Sequence, residues 1–333
     1  MSKILLATDA WFPQVNGVVR ALDKMREIAE QRGHEFVVVH PENFRSFACP
    51  SYPEIRLALA TKVTMRSIFR AEKPDYIHIP TEGPIGLIAR NTCMQMGIPF
   101  TTSYHTKFPD YVNELTRIPK SWAWKYLRWF HKPSRCLMTL SPTMVRELQE
   151  NGFRCPLKEW GRGVDTDIFR PRLKERPEEI LIGYVGRVSK EKNLDKFCQL
   201  DLPYRKVIVG DGPYREALES RYPDIEFTGY RKGEALAREY ERLSVKVFPS
   251  LTDTFGMVNI EALACGTPVA AYPVTGPKDI ITDPRLGCLH DDLSVAVETA
   301  LRTGQRDYCS QFVVENYSWE HSADQFLSGL NRI

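Results

Sequence analysis

Two α/β domains in succession, each built on a parallel sheet, are what this sequence predicts. Three observations carry the prediction. Short β-branched runs alternate with amphipathic helical stretches, the pattern of βαβ units. The alternation breaks once, at the Pro- and charge-rich segment "GVDTDIFRPRLKERPEE" (163–179), and then restarts. At 333 residues the chain exceeds what one ordinary core accommodates.

Strands of the first half are expected at Ile4–Ala7, Phe36–His40, Tyr76–Ile79, Phe100–Tyr104 and Leu137–Leu140. The second set is Ile180–Val185, Lys206–Val209, Ile225–Thr228, Val245–Pro249 and Pro268–Ala271. This places one domain at 1–170 and a second at 171–315, with 316–333 as a closing segment. Ligands of open parallel sheets sit beyond the carboxyl ends of the strands. The loops leaving these strands are therefore the candidate sites, and two facing halves would form a cleft.

Composition narrows the class. The chain is 43% apolar and 26% charged, as soluble globular proteins are. No apolar run approaches the roughly 18–20 residues of a membrane span. "MSKILLATDAWFP" enters a strand directly, without the basic, apolar and small-residue regions of an export signal. Eight scattered cysteines without a C-x-x-C pair point to reduced thiols, not a disulfide frame or a zinc site. A cytoplasmic location is expected, with peripheral attachment to the inner membrane face as an extension. A net charge of +3 carries no nucleic-acid signature, so no such partner is expected. No feature specifies an oligomeric state.

Chemistry concentrates in a few loops. In "IGYVGRVSKEKNLDKF" (182–197) a strand ends at Gly186, and the next loop presents Arg187, Lys190 and Lys192 ahead of a helix near Asn193. Cations there suit a diphosphate; the alternative is a solvated basic turn. "IVGDGPYREAL" (208–218) follows with Gly210, Gly212 and Pro213, a tight loop that permits close backbone approach. In "SLTDTFGMVNIEALACG" (250–266), Asp253 and Thr254 are read as a helix start, with Gly256 beside them and Glu261 about two turns on. The first helical turn offers free amides and about half a positive charge. Eight residues of helix would separate Asp253 from Glu261 by about 12 Å, too far for a glycosidase pair and suited to the two ends of an extended ligand. The alternative makes Asp253 an N-cap and Glu261 a surface charge.

The first half supplies further candidates. Asn16-Gly17 forms a turn after strand one, Glu82 lies in the loop "HIPTEGPIG" (78–86), and "TTSYHTKFPDY" (101–111) places His105 at a strand end. "PKSWAWKYLRWFHKPSR" (119–135) interleaves three Trp with five cations. As a helix it could lie on an anionic membrane, or it is a core helix with a basic outer face. "DTD" (165–167) matches a metal-binding Asp-x-Asp superficially, but its place in the linker favours a structural role.

In order along the chain, "NGVV", "SYHTKFPDY", "SPTMVRELQENGF", "WGRGVDTDIFRP", "GYVGRVSKEKN", "VGDGP", "DTFGMVNIEALACGTPV" and "YSWEHSADQF" resemble a retaining glycosyltransferase of family four. That family has the GT-B architecture, two facing Rossmann-like domains with a central interdomain cleft. "TEGPIG", "HTKFP", "WGRGVDT", "DTFG" and "TGPKD" are most similar to the branch of sulfoquinovosyl- and mannosyl-transferases acting on diacylglycerol or related lipids.

The resemblance implies roles. Arg187 and Lys192 would neutralise the donor diphosphate, with the Gly17 backbone approaching it; Glu261 would bond the ribose and Asp253 the transferred sugar. Gly186, Gly212, Thr254, Phe255 and Gly256 would complete the donor site. His105 would face the reacting carbon, with Glu82, Tyr104 and Lys107 on the acceptor side. The first position of the family's E-x7-E motif is usually Glu; here it is Asp253. The helix around Trp319–Leu330 would cross back onto the first domain.

The implied reaction is hexosyl transfer from a UDP- or GDP-linked sugar to a lipid hydroxyl, with no cofactor and no metal. A sugar-nucleotide epimerase on the same scaffold and a non-catalytic sugar-nucleotide-binding protein are the rival readings.

Overall fold

The computed structural model describes residues 1–14, 17–49, 52–105, 119–172, 179–251 and 255–330. The chain divides into two compact units, Met1–Gly161 with Ser322–Ile333, and Arg162–His321. Each carries a six-stranded sheet.

The first unit contains β1 (Lys3–Ala7), β2 (Glu35–Val39), β3 (Ser46–Cys49), β4 (Tyr52–Ala58), β5 (Tyr76–Ile79), β6 (Thr101–Tyr104), β7 (Leu137–Thr139) and β8 (Leu157–Glu159). Its sheet runs β2-β1-β5-β6-β7-β8, all parallel, while β3 and β4 form a separate antiparallel pair. The second unit contains β9 (Leu181–Val185), β10 (Arg205–Val209), β11 (Glu226–Gly229), β12 (Val245–Phe248), β13 (Val269–Ala271) and β14 (Gly287–Leu289), ordered β11-β10-β9-β12-β13-β14 and again parallel.

The ten expected strands are all present, within a residue or two at their ends. The additions, β8, β14 and the β3–β4 pair, have a common cause. β8 (LKE) and β14 (GCL) are three-residue edge strands without a β-branched run, and β4 carries Pro53, so local pattern does not announce them.

Helix ends follow side-chain chemistry. Ser141 caps the Pro142–Glu150 helix through its side chain, with Pro142 at the first helical position. Thr61 caps Lys62–Glu72 in the same way.

The final helix, Trp319–Gly329, supplies part of the first unit's core. Ser322 Oγ donates to the Gly161 carbonyl at 2.8 Å, and Trp160 Nε1 donates to Ser322 Oγ at 3.2 Å. The Phe326 ring centroid lies 4.8 Å from Trp160 and 5.1 Å from His78. His78 is fully buried in β5, with Nδ1 against Thr101 Oγ1 and Nε2 against Ser103 Oγ, both at 2.8 Å.

Burial lowers the His78 pKa from 6.5 to about 3. Below pH 6.5 the unfolded chain takes up a proton that the folded chain refuses. The group's contribution is therefore complete above that value and is lost as pH falls toward 3, at about 1.4 kcal/mol per pH unit. We expect His78→Gln to flatten the pH dependence of the urea midpoint between pH 6.5 and 4.5. An unchanged slope would refute this.

Candidate functional site

In the second unit, β9 and β12 are neighbours while the strands that follow each of them lie on opposite sides. The loops leaving them diverge, which opens a crevice at their carboxyl ends. The β9 loop begins at Gly186 and passes through a 3-10 turn at Lys190–Lys192 to Asn193, in left-handed conformation (φ 56°). Asn193 Nδ2 donates to the Pro249 carbonyl at 3.1 Å, tying this loop to the exit of β12. Ser189 Oγ donates to Glu191 Oε1 at 2.6 Å. That bond is the main cause holding the Glu191 carboxyl below its usual range, and the charges of Lys192 and Arg187 add to it. The two expected cations therefore share one loop and act on one carboxylate.

Beside Arg187 is a cavity of about 310 Å³, lined by Gly186, Arg187, Tyr230, Arg231, Leu236 and Tyr240 among others. Gly210 lines it too, and a Cβ there would fall 1.9 Å from the Gly186 carbonyl oxygen. Gly212 packs in the same way on the Val188 carbonyl. Tyr240 donates its hydroxyl to Glu261 Oε2 at 2.8 Å. Burial, and then the charge of Glu261, raise the Tyr240 pKa well above its ordinary value, so the phenol remains a donor and fixes the carboxylate beside the cavity.

The helix bearing Glu261 is Met257–Ala264, opened by Gly256 in left-handed conformation (φ 83°). This corrects the expected start at Asp253–Thr254. Those two residues lie outside the described set, and the helix begins beyond them, so Glu261 sits in its second turn and the separation of about 12 Å no longer follows. The physical reason is Gly256, whose positive φ breaks the helical path. Phe255 is buried, its ring centroid 6.0 Å from Tyr317, so its side chain anchors the turn. Beneath the helix, the fully buried Lys246 donates to Asn259 Oδ1 and lies 4.2 Å over the Phe248 ring.

In the first unit, β1 and β5 flank the equivalent divergence. Asp9, just after β1, accepts from the Ile85 amide at 2.8 Å, the Gly86 amide at 3.2 Å and Thr81 Oγ1 at 2.9 Å. Burial raises its pKa, opposed by those three donors. The carboxylate thus occupies the N-terminus of the Pro84–Met96 helix and pins the loop that carries Glu82. Glu82 Oε1 lies 3.3 Å from His131 Nε2, and Tyr126 donates to the Glu82 carbonyl at 2.7 Å.

His105 is 7% exposed, its ring 5.2 Å from Trp160, and Tyr104 is buried against Trp124 at 6.2 Å. Gly17 opens the Gly17–Gln31 helix, and nothing lies within 4 Å of where its Cβ would be. Lys107 and Asn16 fall outside the described residues. Asp165 Oδ1 accepts from the Asp167 and Ile168 amides at 3.1 and 3.3 Å, closing a turn within the "DTD" stretch.

Comparison with known proteins bears on this arrangement. Residues 15–168 match the family profile described as Glycosyltransferase Family 4, and residues 165–296 that described as Glycosyl transferases group 1. A GDP-mannose-dependent alpha-mannosyltransferase of Mycobacterium tuberculosis is 30% identical over 86% of this chain and 83% of its own length. The chain belongs to glycosyltransferase family 4.

The sulfoquinovosyl transferase SQD2 of Arabidopsis thaliana is 31% identical to this family 4 glycosyltransferase over 83% of the chain, which spans 60% of the plant protein's length. An alpha-monoglucosyldiacylglycerol synthase of Streptococcus pneumoniae is 25% identical over 90% of the chain and 78% of its own length. Anabaena HepE, solved in complex with UDP, shares the GT-B fold with a TM-score of 0.70 at 13% identity, over 98% of this chain and 99% of its own.

Three residues of the transferase escape a reading of the sequence. Tyr240 sits 21 positions from Glu261, and no local pattern links them. Asn193 reads as a helix start, while its left-handed backbone and its bond to Pro249 are tertiary. Asp9 had a signal, an acidic residue at the end of the first parallel strand.

Proposed function

We propose that this family 4 glycosyltransferase moves a hexosyl unit, with retained configuration, from a nucleoside-diphosphate sugar to the hydroxyl of a glycerolipid such as diacylglycerol at a membrane surface. The observation carrying the reading is the convergence of Arg187 and Lys192 on one loop beside a cavity whose wall holds a Tyr240-fixed Glu261. Carboxylate oxygens suit ribose hydroxyls, and paired cations suit a diphosphate. The names of the relatives support a lipid acceptor and a nucleotide-linked donor.

The acceptor hydroxyl attacks the anomeric carbon on the face the diphosphate is leaving. The new C–O bond forms as the bond to phosphate breaks, and a diphosphate oxygen takes the acceptor proton. Arg187 and Lys192 stabilise the charge that develops on the departing group, where electrostatic catalysis is strongest. Asp253 and His105 bond and face the transferred sugar, and Glu82 serves the acceptor side. Incubating the protein with a radiolabelled sugar nucleotide and diacylglycerol vesicles tests this. An α-linked labelled glycolipid is expected; an epimerised nucleotide, or binding without product, would sink the reading.

Membrane contact is assigned to the Lys120–His131 helix. Ala123, Leu127 and Phe130 face inward, whereas Trp122 is 72% and Trp129 47% exposed, with Lys125 exposed between them. Exposed indoles with adjacent cations suit an anionic interface. Each cation near such a surface contributes about 1 kcal/mol, so Lys125→Glu, which inverts one, should weaken binding to phosphatidylglycerol vesicles about tenfold or more. Trp122→Ala should weaken it further, and unchanged vesicle sedimentation in both variants would refute the assignment. Among the described residues no helix is long and apolar enough to cross a membrane.

A further inference from the structure

We propose that the cavity beside Arg187 selects guanine as the donor base, read by Arg231 and Glu239 against the face of Tyr230. The inference rests on the donor reading above and names the base it takes.

Tyr230 leaves the end of β11 with 67% of its surface exposed, on the lining of the cavity. A large ring left in water at a pocket edge is a stacking face, since every base offers a π-surface. Stacking alone does not choose among bases. Selection falls to Arg231, the next residue, which also lines the cavity. Its Nη1 donates to the Tyr230 carbonyl at 3.3 Å, and its Nε lies 3.8 Å from Glu239 Oε1. The latter is beyond hydrogen-bond length, so the ion pair leaves guanidinium donors for a ligand. Glu239 Oε2 accepts from Arg242 Nη1 at 3.0 Å, which leaves Oε1 as the oxygen on the Arg231 side.

The pair presents a fork of donors next to a carboxylate acceptor. Guanine matches that order: O6 and N7 are adjacent acceptors for the fork, and N1–H and the N2 amino group are donors for the carboxylate. Adenine puts an amino donor beside N7, so the fork would meet a donor. Uracil has a single acceptor, O4, flanked by the N3–H donor, so it can satisfy only half of the fork. A bidentate match of this kind discriminates by about 5- to 150-fold.

Titration calorimetry of the full chain with free GDP, UDP and ADP tests the assignment. The expected result is GDP binding at least about fivefold tighter than UDP and ADP. Arg231→Met, which keeps length without donors, should erase that preference. Arg231→Lys, which keeps charge without the fork, should erase most of it. UDP binding as tightly as GDP, or a GDP preference surviving Arg231→Met, would overturn the base assignment and leave the diphosphate reading standing. Binding of none of the three would overturn both. The position tolerates change structurally, because the Arg231 side chain is 41% exposed on a loop; the thermal midpoint of each variant reports folding independently.

Discussion

Lys192→Ala is expected to lower turnover about 10²–10³-fold, the usual cost of removing one preorganised group that stabilises developing charge. Stability should change by no more than about 0.5 kcal/mol, as for surface substitutions generally. The two effects separate because Lys192 is half-exposed in a short turn rather than part of the core. Its charge, with that of Arg187, already acts on Glu191 in the ligand-free loop, so the cation is in place before the donor arrives. Steady-state kinetics with a saturating donor, beside a urea titration, measures both. Wild-type turnover in the variant would remove the mechanism, and a collapse of folding instead would assign Lys192 a structural role.

The second large effect is structural in origin. Gly210→Ala should destabilise the protein by about 3 kcal/mol or more, since two penalties act together. Gly210 has φ 141°, and an added Cβ would sit 1.9 Å from the Gly186 carbonyl oxygen. That oxygen belongs to backbone, which cannot rotate away as a side chain would. Relief requires the β9 exit to move, so nucleotide affinity should fall along with stability. A urea midpoint within about 1 kcal/mol of wild type would show that the two loops separate readily.

The sequence was most readable where function rests on strand exits. Arg187, Lys192 and Glu261 are found because parallel strands end in loops and cations there have few structural uses. The boundary of the Glu261 helix was misjudged because Asp253 and Thr254 carry the chemistry of an N-cap, whereas a positive φ at Gly256 sets the start. The first unit was harder. Its β6 is buried at every position, as central parallel strands are, so Tyr104 turns out to be core and sequence alternation could not show it. Ligation between distant residues, such as Tyr240 to Glu261 or Asp9 to Ile85, is created by topology and leaves no local trace.

Ser322 and Phe326 complete a core begun some 160 residues earlier, at Trp160 and His78. During synthesis the amino-terminal unit must therefore wait, with part of its apolar interior uncovered, until the tail emerges from the ribosome. At about 5–20 residues per second that delay is on the order of ten seconds, a window in which the nascent chain is a natural client for a holdase chaperone.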